Sequence, residues 1–357
     1  DVGSYLNLGN SYRDLGDYPR AIEAYREVLR IAPRAAGAMI NIATCMTSEG
    51  DTEEAVEYYR AAFEIQPGWL SSGNLNHEYG MALAQLGRYQ DAKEIFHLRL
   101  DQPDSSGRGY AKRSLGQLAL YQGYFDEAAA HFSDAVALHL AAEEPVSAGR
   151  DRLFAALGEA ARGRPREAVA ALDQAAREVP VQSGWIWLRS LVGSAYLTAG
   201  DIESARRISE ELTLWAESAE EPGEDPLQRR VLLEAGILVS DGDPDGALEI
   251  LEPLETVDNR DNAFLVAALA EAYRAAGRWQ DAEQRLRQLI DLRWDYYEGL
   301  VPFVVAHYRL AEVCEKLQRT EDAVGYYRQF LEFWGDSDSD TPEIELARQR
   351  LDTLGGI

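Results

Sequence analysis

The chain of 357 residues carries 35 Lys and Arg against 61 Asp and Glu, a formal charge of −26. A field of that sign repels nucleic-acid phosphates and anionic lipid headgroups, so neither is expected as a partner, and the acidity either keeps the surface soluble or suits a cationic partner. No run approaches the eighteen or so apolar residues of a membrane span and no signal peptide is present, which makes a cytoplasmic location the expectation.

The chain enters its first helix almost at once and lacks an initiator methionine, as expected of a processed protein or a piece of a larger one. Residues 5–33 read as two short amphipathic helices joined at Gly16-Asp17. Leu8, Tyr12 and Leu15 share one face of the first, and Ala21, Tyr25 and Val28 one face of the second. Ala21 to Ala55, Tyr25 to Tyr59 and Pro33 to Pro67 are each 34 residues apart. A fixed period of that length predicts stacked helical hairpins.

The unit extends along the chain with Ala21, Ala55, Ala92, Ala128, Ala168, Ala205, Ala247, Ala282 and Ala323 as markers. Five residues before each marker stands a glycine (Gly16, Gly50, Gly87, Gly123, Gly163, Gly200, Gly242, Gly277), with Gln318 replacing it in the ninth unit. Twelve residues before each is another small residue: Gly9, Ala43, Gly80, Gly116, Ala156, Gly193, Ala235, Ala270 and Ala311. The glycine ends a first helix where a left-handed residue is needed. The other two columns mark helix crossings that a larger side chain would hold apart. Tyr25, Tyr59, Phe96, Phe132, Leu172, Leu251, Leu286 and Tyr327 fill the seam between them. Ser209 and Glu234 break the pattern in units six and seven. One hairpin cannot bury its apolar face alone, so the expectation is an all-α array of nine interdependent hairpins over residues 1–335.

This order of small, aromatic, small, aromatic and proline residues resembles the tetratricopeptide repeat family over roughly residues 2–334. The resemblance implies a right-handed superhelical solenoid of antiparallel helix pairs. The marker intervals of 34 to 42 residues place extra length between units, near 68–76, 101–109, 141–147, 216–226 and 292–302. The acidic, proline-bearing stretch 216–226 reads as a long loop or a hinge. Residues 336–357 form an acidic loop and a C-terminal capping helix, with Thr341 as cap, Pro342 as first helical residue and Ile344, Ala347, Leu351 and Leu354 as its apolar stripe. Nothing equivalent precedes Tyr5, so the N-terminal edge reads as uncapped and open to self-association. The tail from Phe330 to Leu354 also resembles the ends of bacterial multidomain signalling proteins.

Cofactor or catalytic chemistry is not expected. Cys45 and Cys314 read as core, and His77, His97, His131, His139 and His307 show no ligand spacing. Asp336, Asp338 and Asp340 alternate, yet lack the glycine and distal glutamate of a calcium loop; a helix-capping acidic turn is the reading. Gly107-Arg108-Gly109 has no lysine-serine sequel, and no serine or cysteine nucleophile stands beside a base.

The resemblance further implies a concave face, lined by first helices, that binds proteins or peptides. Carried over by position, it comprises Asn10, Arg13, Asn41, Thr44, Asn74, His77, Tyr110, Arg113, Gln117 and Tyr121 in units one to four. In units five to seven it comprises Leu153, Leu157, Trp187, Leu197, Leu232 and Val239, with Arg150 and Arg229 near them. Asn10 and Asn41 match the asparagines of carboxylate-clamping members, but Leu6, Asn74 and Glu78 stand where the clamp has cations, so a chaperone-tail ligand is excluded. A recognition scaffold, as a recognition or docking region of a larger protein, and an architectural spacer or self-assembly module both remain. Residues 187–239 discriminate them, because a spacer has no use for an apolar inner face.

Overall fold

The computed structural model describes residues 1–71, 75–182, 185–218, 224–255, 262–292, 300–339 and 341–355. Among them every regular element is helical. The hairpins are α1 (Val2–Asp14) with α2 (Tyr18–Ile31), α3 (Ala36–Glu49) with α4 (Thr52–Ile65), α5 (Leu75–Gln85) with α6 (Tyr89–Leu100), and α7 (Ser105–Tyr121) followed by α8 (Phe125–Ala141). They continue as α9 (Pro145–Ala161) with α10 (Pro165–Glu178), α11 (Ile186–Thr198) with α12 (Ile202–Ser218), and α13 (Glu224–Ser240) with α14 (Pro244–Leu251). The series ends with α15 (Ala263–Ala275) and α16 (Trp279–Asp291), α17 (Leu300–Lys316) and α18 (Thr320–Trp334), and a single last helix, α19 (Pro342–Leu354). Two compact units result, one built on residues 1–118 and one on residues 119–291 and 300–355.

The columns read from the sequence have visible causes. All nine marker alanines are buried. Each of the eight glycines has a positive φ, between 68° and 90°, and Gln318 takes φ 60° in the ninth place despite its Cβ. At the crossings, the ring of the second helix lies flat on the small residue of the first. A Cβ on Gly9 would come within 2.5 Å of Tyr25 Cε1, and one on Gly80 would overlap Phe96 still more. Where Ser209 vacates the seam, its neighbour Ile208 is fully buried, and Leu233 is buried beside the exposed Glu234. Gly193 receives both: its missing Cβ would stand 2.6 Å from Leu233 and 3.0 Å from Ile208.

Part of the extra length does not sit where it was expected. Rather than widening the loop at 141–147, it lengthens α8 and α9 to 17 residues each and leaves only residues 142–144 between them. Extending a helix adds a hydrogen bond for each residue fixed, which a loop does not. Likewise α7 begins at Ser105, inside the expected loop 101–109, and Pro67–Ser71 is a 3₁₀ turn. Parts of the other two expected loops, 219–223 and 293–299, lie outside the described residues.

The second unit returns on itself. Trp334, at the end of α18, is fully buried. Its Nε1 donates to Leu120 O at 3.1 Å in the last turn of α7, and its ring meets Phe125 edge-on with centroids 5.0 Å apart. The chain behind it continues the contact. Ser337 Oγ donates to Gly123 O at 2.6 Å, and Asp338 Oδ2 accepts from the backbone N–H groups of Asp126 and Glu127 at 2.9 and 3.2 Å. The acidic turn is therefore a helix cap, but for α8, more than two hundred residues upstream; Thr341 caps α19 through Ile344 N at 3.2 Å. Asp340 lies outside the described residues. On the other side of the strap α19 packs on α18, with Ile344 and Ala347 buried and Leu351 and Leu354 half-buried.

Two outcomes test this packing. Gly80→Ala should cost about 1–3 kcal/mol in denaturant unfolding, because the buried Phe96 ring has nowhere to go, whereas Gly37→Ala on an open helix surface should be neutral or stabilising. Trp334→Ala should cost about 3–5 kcal/mol and Asp338→Ala about 1 kcal/mol; equal effects would show that the buried ring contributes no more than the cap.

Candidate functional site

Most polar positions expected on the inner face of the first unit serve the hairpins themselves. Asn10 Oδ1 accepts from Tyr25 Oη at 2.7 Å, and Arg13 pairs with Asp14 at 3.1 Å. Thr44 Oγ1 lies 3.2 Å from Tyr59 Oη and donates to Glu78 Oε2 at 3.3 Å, which sets a carboxylate in the middle of this face. Asn41 is half-buried. His77 is buried, stacked on Phe96 with its Nδ1 2.8 Å from Ser114 Oγ. Arg113 and Gln117 are buried too. Tyr110 is half-buried, with the guanidinium groups of Arg99 and Arg113 over its ring at 5.1 and 5.0 Å. Asn74 lies outside the described residues.

In the second unit Tyr121 is buried rather than presented to a groove. It packs against Phe303 of α17 and Phe333 of α18, centroids 6.4 and 5.1 Å away, and His307 completes the cluster 5.1 and 5.3 Å from the same two rings. Leu153 is also core, in one cluster with Ala156, Leu172 and Ile186. Leu157, Trp187 and Leu197 are half-buried, each resting on that cluster. Leu232 and Val239 on α13 are half-buried as well.

One row joins these residues. Eighteen positions before the markers of units five to eight stand Arg150, Trp187, Arg229 and Phe264. All four are half-exposed. The Arg150 guanidinium lies 5.2 Å from the Trp187 ring and the Arg229 guanidinium 5.0 Å from the Phe264 ring. Arginine and aromatic side chains thus alternate across α9, α11, α13 and α15. Sequence reading found three of the four and missed Phe264, although its marker, Ala282, puts it in register. Further along, the same face turns ionic: Glu312 joins Arg274 at 3.3 Å and Arg309 at 3.0 Å.

Buried polar groups elsewhere have structural partners. His139 Nδ1 and Asp151 Oδ2, both fully buried, meet at 2.5 Å between α8 and α9. Cys45 and Cys314 are buried and not joined in a disulfide. Among the described residues no three His, Cys, Asp or Glu side chains gather as metal ligands would, and no helix is long and apolar enough to cross a membrane.

A model described as tetratricopeptide repeat matches residues 6–68 and 267–338, and a second model of the same description matches residues 238–295. No curated protein matches the sequence. Similar solved structures include a tetratricopeptide repeat protein from Parabacteroides merdae, 17% identical over 76% of this chain and 98% of that one, with a TM-score of 0.47. PilW, described as a widely conserved type IV pilus biogenesis factor, is 21% identical over 61% of this chain and 95% of its own, TM-score 0.42. MamA is 19% identical over 50% of this chain and 91% of its own, TM-score 0.38.

Burial holds the His307 imidazole below its ordinary pKa, against a weaker opposing pull from backbone acceptors at Phe303 and Val304. As pH falls below about 6.5 the unfolded chain takes up a proton that the folded site refuses, so stability should drop between pH 7 and 5. In urea unfolding at both pH values, His307→Phe should lose part of that drop; an unchanged difference would clear His307 of it.

Proposed function

We propose, from the premise that this chain is a tetratricopeptide-repeat protein, that it is a non-catalytic scaffold binding a protein or peptide on the inner face of its second unit. The alternating row Arg150, Trp187, Arg229 and Phe264 carries this reading. Half-exposed apolar and aromatic side chains in one row cost solubility, and Leu157, Leu232 and Val239 stand on the same helices. A partner would lay apolar side chains over Trp187 and Leu232, while carboxylates at its edge meet Arg150 and Arg229. The remaining acidity of the chain disfavours a strongly acidic partner. The polar face of the first unit, centred on Asn10, Asn41, Thr44 and Glu78, is the lesser candidate, because Tyr25 already engages Asn10 and Thr44 already bonds Glu78.

A second reading, assembly through the first hairpin, has its own observation: Leu8 of α1 and Leu15, which caps its end, are 43% and 79% exposed.

The groove is tested by capture. Proteins recovered from a lysate with the parent chain should be identified and their binding then measured by calorimetry. Leu232→Asp and Trp187→Ala should each weaken it about tenfold or more while leaving the melting temperature within a few degrees of the parent. Unfolding by Leu232→Asp would make the residue core and refute the groove there.

A further inference from the structure

The row Arg150, Trp187, Arg229 and Phe264 has a spacing as well as a composition. Its members hold the same register place on α9, α11, α13 and α15, and these first helices pack directly on one another in turn. Packed helices run about 8–10 Å apart, so successive side chains of the row stand about that far from each other. The same place in α17 is the half-buried Val305, so the alternation of arginine and ring ends at α15.

A ligand that meets the whole row must bring its own side chains into one line at that interval. A β-strand returns to one face at about 7 Å and falls nearly one place short over the row. An α-helix returns at about 10.5 Å, after seven residues, but it is close to straight. The inner face is not straight, because its helices bend round until α17 meets α9. A polyproline II segment repeats every three residues at about 9.3 Å, and it has no internal hydrogen bonds for a bend to break. Charge agrees with this choice. In a chain of net charge −26 the two arginines favour carboxylates at alternate places, and the rings between them suit proline. Each guanidinium leans over its neighbouring ring, at 5.2 and 5.0 Å, which sets carboxylate and proline places side by side. We infer that the row binds a polyproline II segment of about ten residues, with carboxylates at Arg150 and Arg229. A proline three residues after each carboxylate rests on Trp187 and on Phe264. This rests on the groove reading and adds the class of peptide that fills it.

Synthetic peptides titrated against the whole chain by fluorescence anisotropy test it. The first is a blocked decapeptide with Glu at its first and seventh positions, Pro at its fourth and tenth, and Pro or Ala between. The second is a Thr- and Val-rich extended peptide in which Glu and Leu alternate at every second residue. The third is an Ala-rich helical peptide in which they alternate at every seventh. The decapeptide should bind about tenfold more tightly than either of the others. Moving its second Glu by one residue, or replacing both by Gln, should weaken it about threefold or more, as should Arg150→Gln or Arg229→Gln in the protein. Phe264→Ala should weaken it about tenfold. The peptide changes leave the protein untouched, so a misfolded variant cannot imitate them. A decapeptide that does not bind, that is indifferent to its glutamates, or that is bettered by the extended or helical peptide overturns the inference. Capture of a lysate protein that depends on Trp187 and Leu232 would still uphold the groove, so the two failures are told apart.

Discussion

Everything in this architecture depends on how closely two helices of a hairpin can approach. The ring of Tyr25 or Phe96 lies against a glycine with no room for one more carbon. That distance sets where the second helix runs, and the left-handed residue between the helices delivers the chain to it. Once the pair is fixed, its outer apolar residues need a neighbour, and the neighbour is the next hairpin. Interior packing is thus a sum of local crossings, each specified within about thirty residues.

That locality explains what could be read from the sequence. Small residues recur because sterics admit nothing larger, so the marker alanines, the turn glycines and the seam were legible, even at Gln318, where the backbone takes its left-handed conformation without glycine. Local exchanges were harder: Ile208 and Leu233 do the work that Ser209 and Glu234 abandon, one residue out of register. Added length was misplaced because a sequence interval does not say whether a loop or a helix grows, and α8 and α9 grew. The closure was invisible for a deeper reason. Periodicity reports contacts between neighbours, while Trp334 meets Leu120 across 214 positions, and only the fold brings them together. For the same reason Tyr121 read as a groove residue, when rings of α17 and α18 bury it.

The inner face of the second unit changes character along its length. Side chains resting on the core at Leu157 and Trp187 give way to the ionic group Arg274, Glu312 and Arg309. Tightly paired charges of this kind are a weak source of stability but a selective surface, because a ligand that displaces one partner must replace it. On the proposed reading, the apolar stretch and its two arginines would be the adaptable part of a binding face, and the ionic end the discriminating one.

Closing the second unit also alters how it can come into being. An open stack of hairpins folds by nearest-neighbour addition and frays from its ends. Joining Trp334 and Asp338 to the start of α8 introduces contacts of very long sequence separation, which carry a large loop-closure entropy and slow folding. During synthesis α8 emerges with its first amide groups lacking the Asp338 carboxylate, and waits for about two hundred further residues before that cap arrives. The contacts that close the second unit therefore form last, after hairpins that can already pack on their neighbours as they are made.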